Sequence, residues 1–309
     1  MIDFRPIGYV IGNLVAMLGI TMVLPFLVDL AEGRGQAWVF AQSGAITFIF
    51  GILLALACSN GAREGLTIQQ TFLLTTGVWV ALPLFGALPF VFGATHASFV
   101  DAFFESVSGM TTTGSTVFSG LDTLPKGLLL WRGLLQWLGG IGIIVVAMVF
   151  LPQLRVGGMQ IFRAEAFDTM GKILPQATAI SFQISVIYVG ITMACAMAYL
   201  GVGMNTFDAT VHALTTVSTG GFSNYDASFA MFSGNAEYIA SFFMILAALP
   251  FVRYVQMVNG NSFAIFRDSQ VHAFFILIFV LIVVTTFSLL SQFPHHLEQA
   301  MREALFNIV

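Results

Sequence analysis

The chain has 309 residues, 58% hydrophobic and only 8% charged, with a formal net charge of −4. Soluble domains carry about 25% charged residues, so a chain this short and this apolar cannot hide its hydrophobic surface from water, and most of it has lipid as its solvent. The small negative charge and the lack of a Lys/Arg cluster exclude nucleic acid as a partner.

A membrane-spanning helix needs roughly 20 apolar residues, because each rises 1.5 Å through about 30 Å of hydrocarbon. Seven segments meet this, at 7–30, 38–59, 67–92, 128–151, 174–202, 236–258 and 271–292. The first has no small-residue cleavage site, so it reads as a retained helix rather than a signal peptide. Segments 98–112 and 205–219 are too short to cross and read as half-helices. The first runs into "SGMTTTGSTVF" (108–118), the second into "TTVSTGGFSNY" (215–225). Trp131 and Arg132 open the fourth span, as an aromatic and basic anchor at the outer interface would. The linker 152–173 mixes charge, glycine and apolar residues, which suits a membrane-surface segment or a dock for a soluble partner.

Positive charges orient the spans. With the N-terminus in the cytoplasm, Arg5, Arg63, Arg155, Arg163, Lys172, Arg253 and Arg267 lie inside. Arg34, Lys126, Arg132 and Arg302 lie outside, with ten of the fifteen acids, and an acidic outer face concentrates cations.

The two short segments are copies. "DAFFESVSGMTTTGS" (101–115) aligns without gaps on "DATVHALTTVSTGGF" (208–222), pairing Asp101 with Asp208, Thr112 with Thr219 and Gly114 with Gly221. Each copy lies between two long apolar helices, so the unit is helix, half-helix, polar loop, helix, a kind of internal repeat that marks transport proteins. A third unit begins at 271–292, and "EQAMREALFNIV" reads as its half-helix. The expected architecture is an all-α polytopic membrane protein. Its parts are two N-terminal helices (1–62), pore repeat 1 (63–158), pore repeat 2 (159–262) and a partial pore repeat 3 (263–309).

Non-helical backbone at membrane depth survives only where protein buries it or where it lines a watery cavity. An extended Thr/Gly stretch presents carbonyl oxygens, glycine opens dihedrals closed to other residues, and threonine adds a hydroxyl ligand. Such oxygens can replace the water shell of a hard monovalent cation. Small residues also serve close helix packing, but two aligned copies behind half-helices with the same Asp offset favour an ion path.

Other constellations are weaker. "GGIGII" (139–144) lacks a βαβ context and reads as close helix packing. His295 and His296, beside Glu298, read as a polar interfacial turn, with a metal site as the alternative; His212 replaces Glu105 in the alignment, and both are expected to cap or steady their half-helices or to tune ion entry. Cys58 and Cys195 lie in apolar runs and read as buried free thiols. No transition-metal site or covalent cofactor is expected. The spans hold almost no ionisable pairs for acid–base chemistry, so the chain is not expected to be an enzyme.

"TTTGSTV", "STGGFSNYD" and "LLQWLGGIGIIVVAMVFLP" (134–152) resemble the Trk/Ktr/HKT superfamily of potassium transporters, most closely the bacterial Trk-type membrane subunit, over the whole chain. The resemblance implies four helix–pore-loop–helix repeats around one path for K⁺, the transported ion. It implies filter positions at Thr111, Thr112, Thr113 and Gly114 in the first repeat and at Ser218, Thr219, Gly220 and Gly221 in the second. In plant members a serine at the first-repeat glycine goes with sodium, so Gly114 favours potassium. It further implies the bacterial inner membrane, a homodimer and a cytosolic nucleotide-binding regulatory subunit. The family pattern has four filter strands and this sequence shows two, so the sequence reads as the front of a longer subunit. A Na⁺-permeable relative, a non-conducting fragment, and channel-like or ion-coupled (symport) transport all remain open at this point.

Overall fold

A computed structural model describes residues 2–33, 36–61, 66–150, 173–260, 263, 265–292 and 296–309. Arg34, Arg63, Arg155, Arg163, Lys172, His295, nearly all of the 152–173 linker and the repeat boundaries near 62, 158 and 262 lie outside the described residues. The helices, in chain order, are α1 (Arg5–Thr21), α2 (Val23–Glu32), α3 (Ala37–Ala57), α4 (Ile68–Gly86), α5 (Leu88–Phe92), α6 (Phe99–Met110), α7 (Lys126–Phe150), α8 (Ile173–Gly201), α9 (Thr206–Val217), α10 (Asn235–Ala248), α11 (Phe251–Val258), α12 (Ser269–Gln292) and α13 (Leu297–Ile308). The described secondary structure is helical throughout, and the half-helices expected at 98–112 and 205–219 are α6 and α9, of 12 residues each. At 1.5 Å per residue each is about 18 Å long, too short to cross.

Five helical stretches are long and apolar enough to span a membrane: Arg5–Glu32, Ala37–Ala57, Gln69–Phe92, Ile180–Gly201 and Ser269–Ser291. Large apolar side chains remain exposed along them, among them Trp38, Ile49, Met193, Phe279 and Phe287. Lipid is the solvent that makes such exposure favourable, and the chain is a multi-pass membrane protein. The fourth expected span is helical over Lys126–Phe150.

The sixth expected span, 236–258, is not one straight helix. It is α10 and α11, bent by 83°. Pro250 carries no backbone N–H and drives the preceding residue out of the helical region; Leu249 accordingly sits at ψ 149°. Apolar length alone runs across this break.

The chain forms two compact units, Met1–Met170 with Gly220–Asp226, and Gly171–Thr219 with Ala227–Val309. In the first, α1 and α3 pack backbone to backbone. A Cβ added at Gly12 would lie 2.7 Å from the Gly51 carbonyl oxygen, and one at Gly51 would lie 2.7 Å from the Gly12 carbonyl oxygen. Such approach gains dispersion where lipid supplies no hydrophobic drive. Asp29 at the end of α2 accepts the Gly127 backbone N–H at 2.6 Å, and Glu32 pairs with Lys126 at 2.7 Å, so the N-terminal helices cap the start of α7. Within α7, Gly139 lies so close to α6 that an added Cβ would fall on the Met110 carbonyl, the close packing expected of "GGIGII", whereas nothing lies within 4 Å of a Cβ at Gly142.

In the second unit, α8 packs on α9, α10 and α11, and α12 on α13. Arg302 of α13 pairs with Glu237 at the start of α10 and with Glu298 at 3.2 Å. Cys58 is half-buried and Cys195 buried, both as free thiols.

Candidate functional site: the two pore loops

Each half-helix starts on a side-chain cap. Ser98 Oγ accepts the Asp101 backbone N–H at 3.2 Å, and Asn205 Oδ1 accepts that of Asp208 at 2.9 Å. These caps satisfy orphan donors of the first turn, and the capping side chains donate back to the carboxylates, Ser98 to Asp101 at 2.7 Å and Asn205 to Asp208 at 2.6 Å, which explains why the aspartate recurs. His212 and Glu105 are therefore not the caps.

Both half-helices also end alike. Thr111 donates its N–H to Val107 at 2.8 Å and Thr112 to Gly109 at 3.0 Å; the matching bonds in the second copy run from Ser218 to Leu214 at 3.2 Å and from Thr219 to Thr216 at 3.0 Å. The next residue then turns left-handed, Thr112 at φ 55° and Thr219 at φ 52°. A left-handed residue closes many helices, but on glycine. On a β-branched residue it is an outlier, and strain of this kind collects at functional sites. Two positions later Gly114 and Gly221 are left-handed again, at φ 79° and 78°. The aligned sequence copies are thus copies in backbone as well.

In the first loop Thr113 donates its N–H to the Ser108 carbonyl at 2.9 Å, and Ser108 Oγ donates to the Ser115 carbonyl at 2.5 Å. The Thr111 and Thr113 hydroxyls lie 2.7 Å apart, and both residues are exposed. Gly114 meets the backbone of Gly220, where a Cβ would fall on the carbonyl oxygen. The first loop and Gly220–Gly221 are therefore brought together. Ser218 is buried, its hydroxyl donating to Thr215 at 3.1 Å, and Thr219 is exposed.

A TrkH model, described as a cation transport protein, matches residues 36–291. The chain belongs to the TrkH family. This TrkH-family chain is 40% identical over 308 residues to the Trk system potassium uptake protein TrkI of Halomonas elongata, covering 99% of the chain and 62% of that protein. It is 37% identical over 289 residues to the Trk system potassium uptake protein TrkH of Escherichia coli K12, covering 92% and 59%. The crystal structure of the potassium transporter TrkH from Vibrio parahaemolyticus superposes with a TM-score of 0.88 at 32% identity, over 100% of this chain and 64% of that one. The chain thus spans about three-fifths of the length of these relatives.

Around the two loops lie residues that the sequence placed elsewhere. Trp131 and Arg132 are not interfacial anchors: they are 0% and 1% exposed. Trp131 Nε1 donates at 2.9 Å to the Gly86 carbonyl, at the break between α4 and α5. Arg132 Nε donates at 2.8 Å to Glu105 Oε1, and its Nη1 donates at 2.7 Å to the Ser223 carbonyl. The guanidinium lies 4.2 Å from the centre of the Phe222 ring. Glu105 also accepts the Thr116 hydroxyl at 2.8 Å and the Val117 N–H at 3.1 Å, so it anchors the loop beyond Gly114. Gln136 Oε1 accepts the Phe222 N–H at 3.0 Å. Asp226 accepts the N–H groups of Gly120 at 2.7 Å and Leu121 at 3.0 Å, tying the ends of the two loops together. A signal for this was present: Arg132 and Gln136 are polar, four apart and inside an apolar helix, which places them on one buried face.

His212 sits in a different setting. Its Nδ1 lies 2.9 Å from the Asp208 carbonyl, and its ring contacts Phe229 and Phe232 at 5.8 and 5.0 Å between centroids. His296 is exposed at the N-cap position of α13 without a side-chain capping bond. Among the described residues no group of three His, Cys, Asp or Glu side chains could hold a metal ion.

Proposed function

We propose that this protein takes up potassium across the bacterial inner membrane through a filter to which Thr111–Gly114 and Ser218–Gly221 each contribute a strand. The carrying observation is the repeated backbone: a left-handed threonine and a left-handed glycine at the same places in both loops. Left-handed turns reverse the direction of successive carbonyls, and carbonyl rings of this kind can take over the hydration shell of K⁺. The names of the relatives, potassium uptake proteins, support the same ion. K⁺ is cargo here, and the chemistry is transport rather than bond making.

The N-terminus lies in the cytoplasm on this reading, the repeats divide near residues 62, 158 and 262, and two copies pair in the membrane with a cytosolic nucleotide-binding subunit. The test is Rb⁺ uptake in cells whose potassium supply depends on this protein, with Na⁺ as competitor. Saturable Rb⁺ uptake that resists Na⁺ supports the reading. Uptake suppressed equally by Na⁺ makes the protein a poorly selective cation pathway, and no uptake rejects the transport role.

A further inference from the structure

We propose that Arg132, Gln136 and Glu105 form a buried brace on α7 and α6 that sets the register of the two loops, and so determines ion selectivity without touching the ion. This rests on the filter reading above and deepens it. The three side chains are 1%, 0% and 0% exposed. They hold the first loop through Thr116 and Val117, and the second through Ser223 and Phe222.

One guanidinium spans both loops: its Nε meets the carboxylate that fixes Thr116 and Val117, while its Nη1 meets the Ser223 carbonyl directly. One turn further along α7, the Gln136 amide accepts the Phe222 N–H and backs Gly220 so closely that a Cβ there would overlap it. Gly220 is in turn the residue whose carbonyl meets Gly114. The spacing between the strands is therefore passed from a rigid helix face to the proposed ion ligands through planar groups with fixed angles. Arginine suits this better than lysine, because its fork presents several donors in one plane whereas an ammonium is a point donor. The three are positioning residues.

The test is R132K, with Q136L as a second variant that removes one acceptor at a neutral position, each in the full protein. Membrane abundance, Rb⁺ uptake and the Na⁺ concentration that halves it are measured together. The brace predicts normal abundance and an approximately ten-fold fall in the Na⁺ needed for half-inhibition, the size of losing one hydrogen bond to a charged group. A purely structural role would lower abundance and leave the selectivity of the surviving protein unchanged. If R132K does not accumulate, Q136L decides, with a smaller shift in the same direction. Wild-type Na⁺ exclusion in the accumulating variants overturns the brace. G221S in the same assay separates the two ideas: altered selectivity there alone rejects only the brace, and unaltered selectivity in all three variants rejects the filter as well.

Discussion

Thr112 and Thr219 turn through φ 55° and 52°, and Gly114 and Gly221 through 79° and 78°, yet the side chains at the aligned places 105 and 212 make different contacts. The first is tied to its own half-helix by Glu105, whose carboxylate is ion-paired with Arg132. At the aligned place in the second, His212 contacts the Phe229 and Phe232 rings. Gly114 is also crowded by the Gly220 carbonyl, whereas nothing lies within 4 Å of a Cβ at Gly221. A duplicated sequence has kept its backbone while the surrounding supports diverged. The backbone and the Arg132 contact are thus common to both loops, and the groups at the aligned places 105 and 212 are particular to each.

The comparison breaks first at Glu105 and His212. Glu105→Ala leaves a buried guanidinium without its carboxylate, which costs on the order of 3–5 kcal/mol. His212→Ala removes aromatic packing and is expected to cost about 1 kcal/mol. Thermal unfolding of the detergent-solubilised protein measures both, and equal effects would contradict the difference in supports.

A smaller asymmetry is expected at the glycines. Gly221→Ser costs about 1–2 kcal/mol for a left-handed side chain. Gly114→Ser bears that cost and also the overlap with Gly220, so Rb⁺ uptake should fall further than in Gly221→Ser. Equal losses would mean that the contact between Gly114 and Gly220 does not matter.

Thr112→Gly and Thr219→Gly sharpen the likeness between the loops. Each relieves about 1–2 kcal/mol of left-handed strain, against about 0.5–1 kcal/mol for the added flexibility of glycine. Both should leave the unfolding temperature unchanged or slightly raised while weakening Na⁺ exclusion. A marked drop in stability would show that the threonines are there for packing.

The smallest effect concerns a group far from the loops. Burial pushes the Asp268 pKa up, but the Arg253 hydrogen bond at 2.7 Å, the Gln270 backbone N–H and the Arg253 charge together hold it below the ordinary value of 3.8. A depressed carboxylate stabilises the fold above its unfolded pKa, and that contribution is lost as the pH falls through the folded pKa. Near neutral pH, where the contribution of this pair is complete, the unfolding temperature should not vary with pH on its account, and it should decline only below about pH 4. Asp268→Asn should flatten that decline.

Much of this was legible in the sequence for physical reasons. Apolar length marks a span because the bilayer has a set thickness, and the short segments before the loops became α6 and α9. The offset shared by Asp101 and Asp208 was legible as part of the repeat, and both prove to lie in the first turn of their half-helices behind caps from Ser98 and Asn205. Length could not reveal the bend at Leu249–Pro250, since its residues are as apolar as those of an intact span; Pro250 itself was the available sign. The partner of Arg132 was harder to see. Glu105 lies on another helix, and charge next to a span boundary reads equally well as an anchor or as a buried pair. Interhelical contacts decide between these, and they do not follow from periodicity within one helix.

The central claim is that Thr111–Gly114 and Ser218–Gly221 line one cation path. Determining the structure of the protein in Rb⁺ tests it most directly, because Rb⁺ can be located by its anomalous scattering. The account predicts Rb⁺ against the backbone oxygens of both loops, displaced by K⁺ and not by Na⁺. Rb⁺ bound away from both loops, or replaced as readily by Na⁺ as by K⁺, would contradict it.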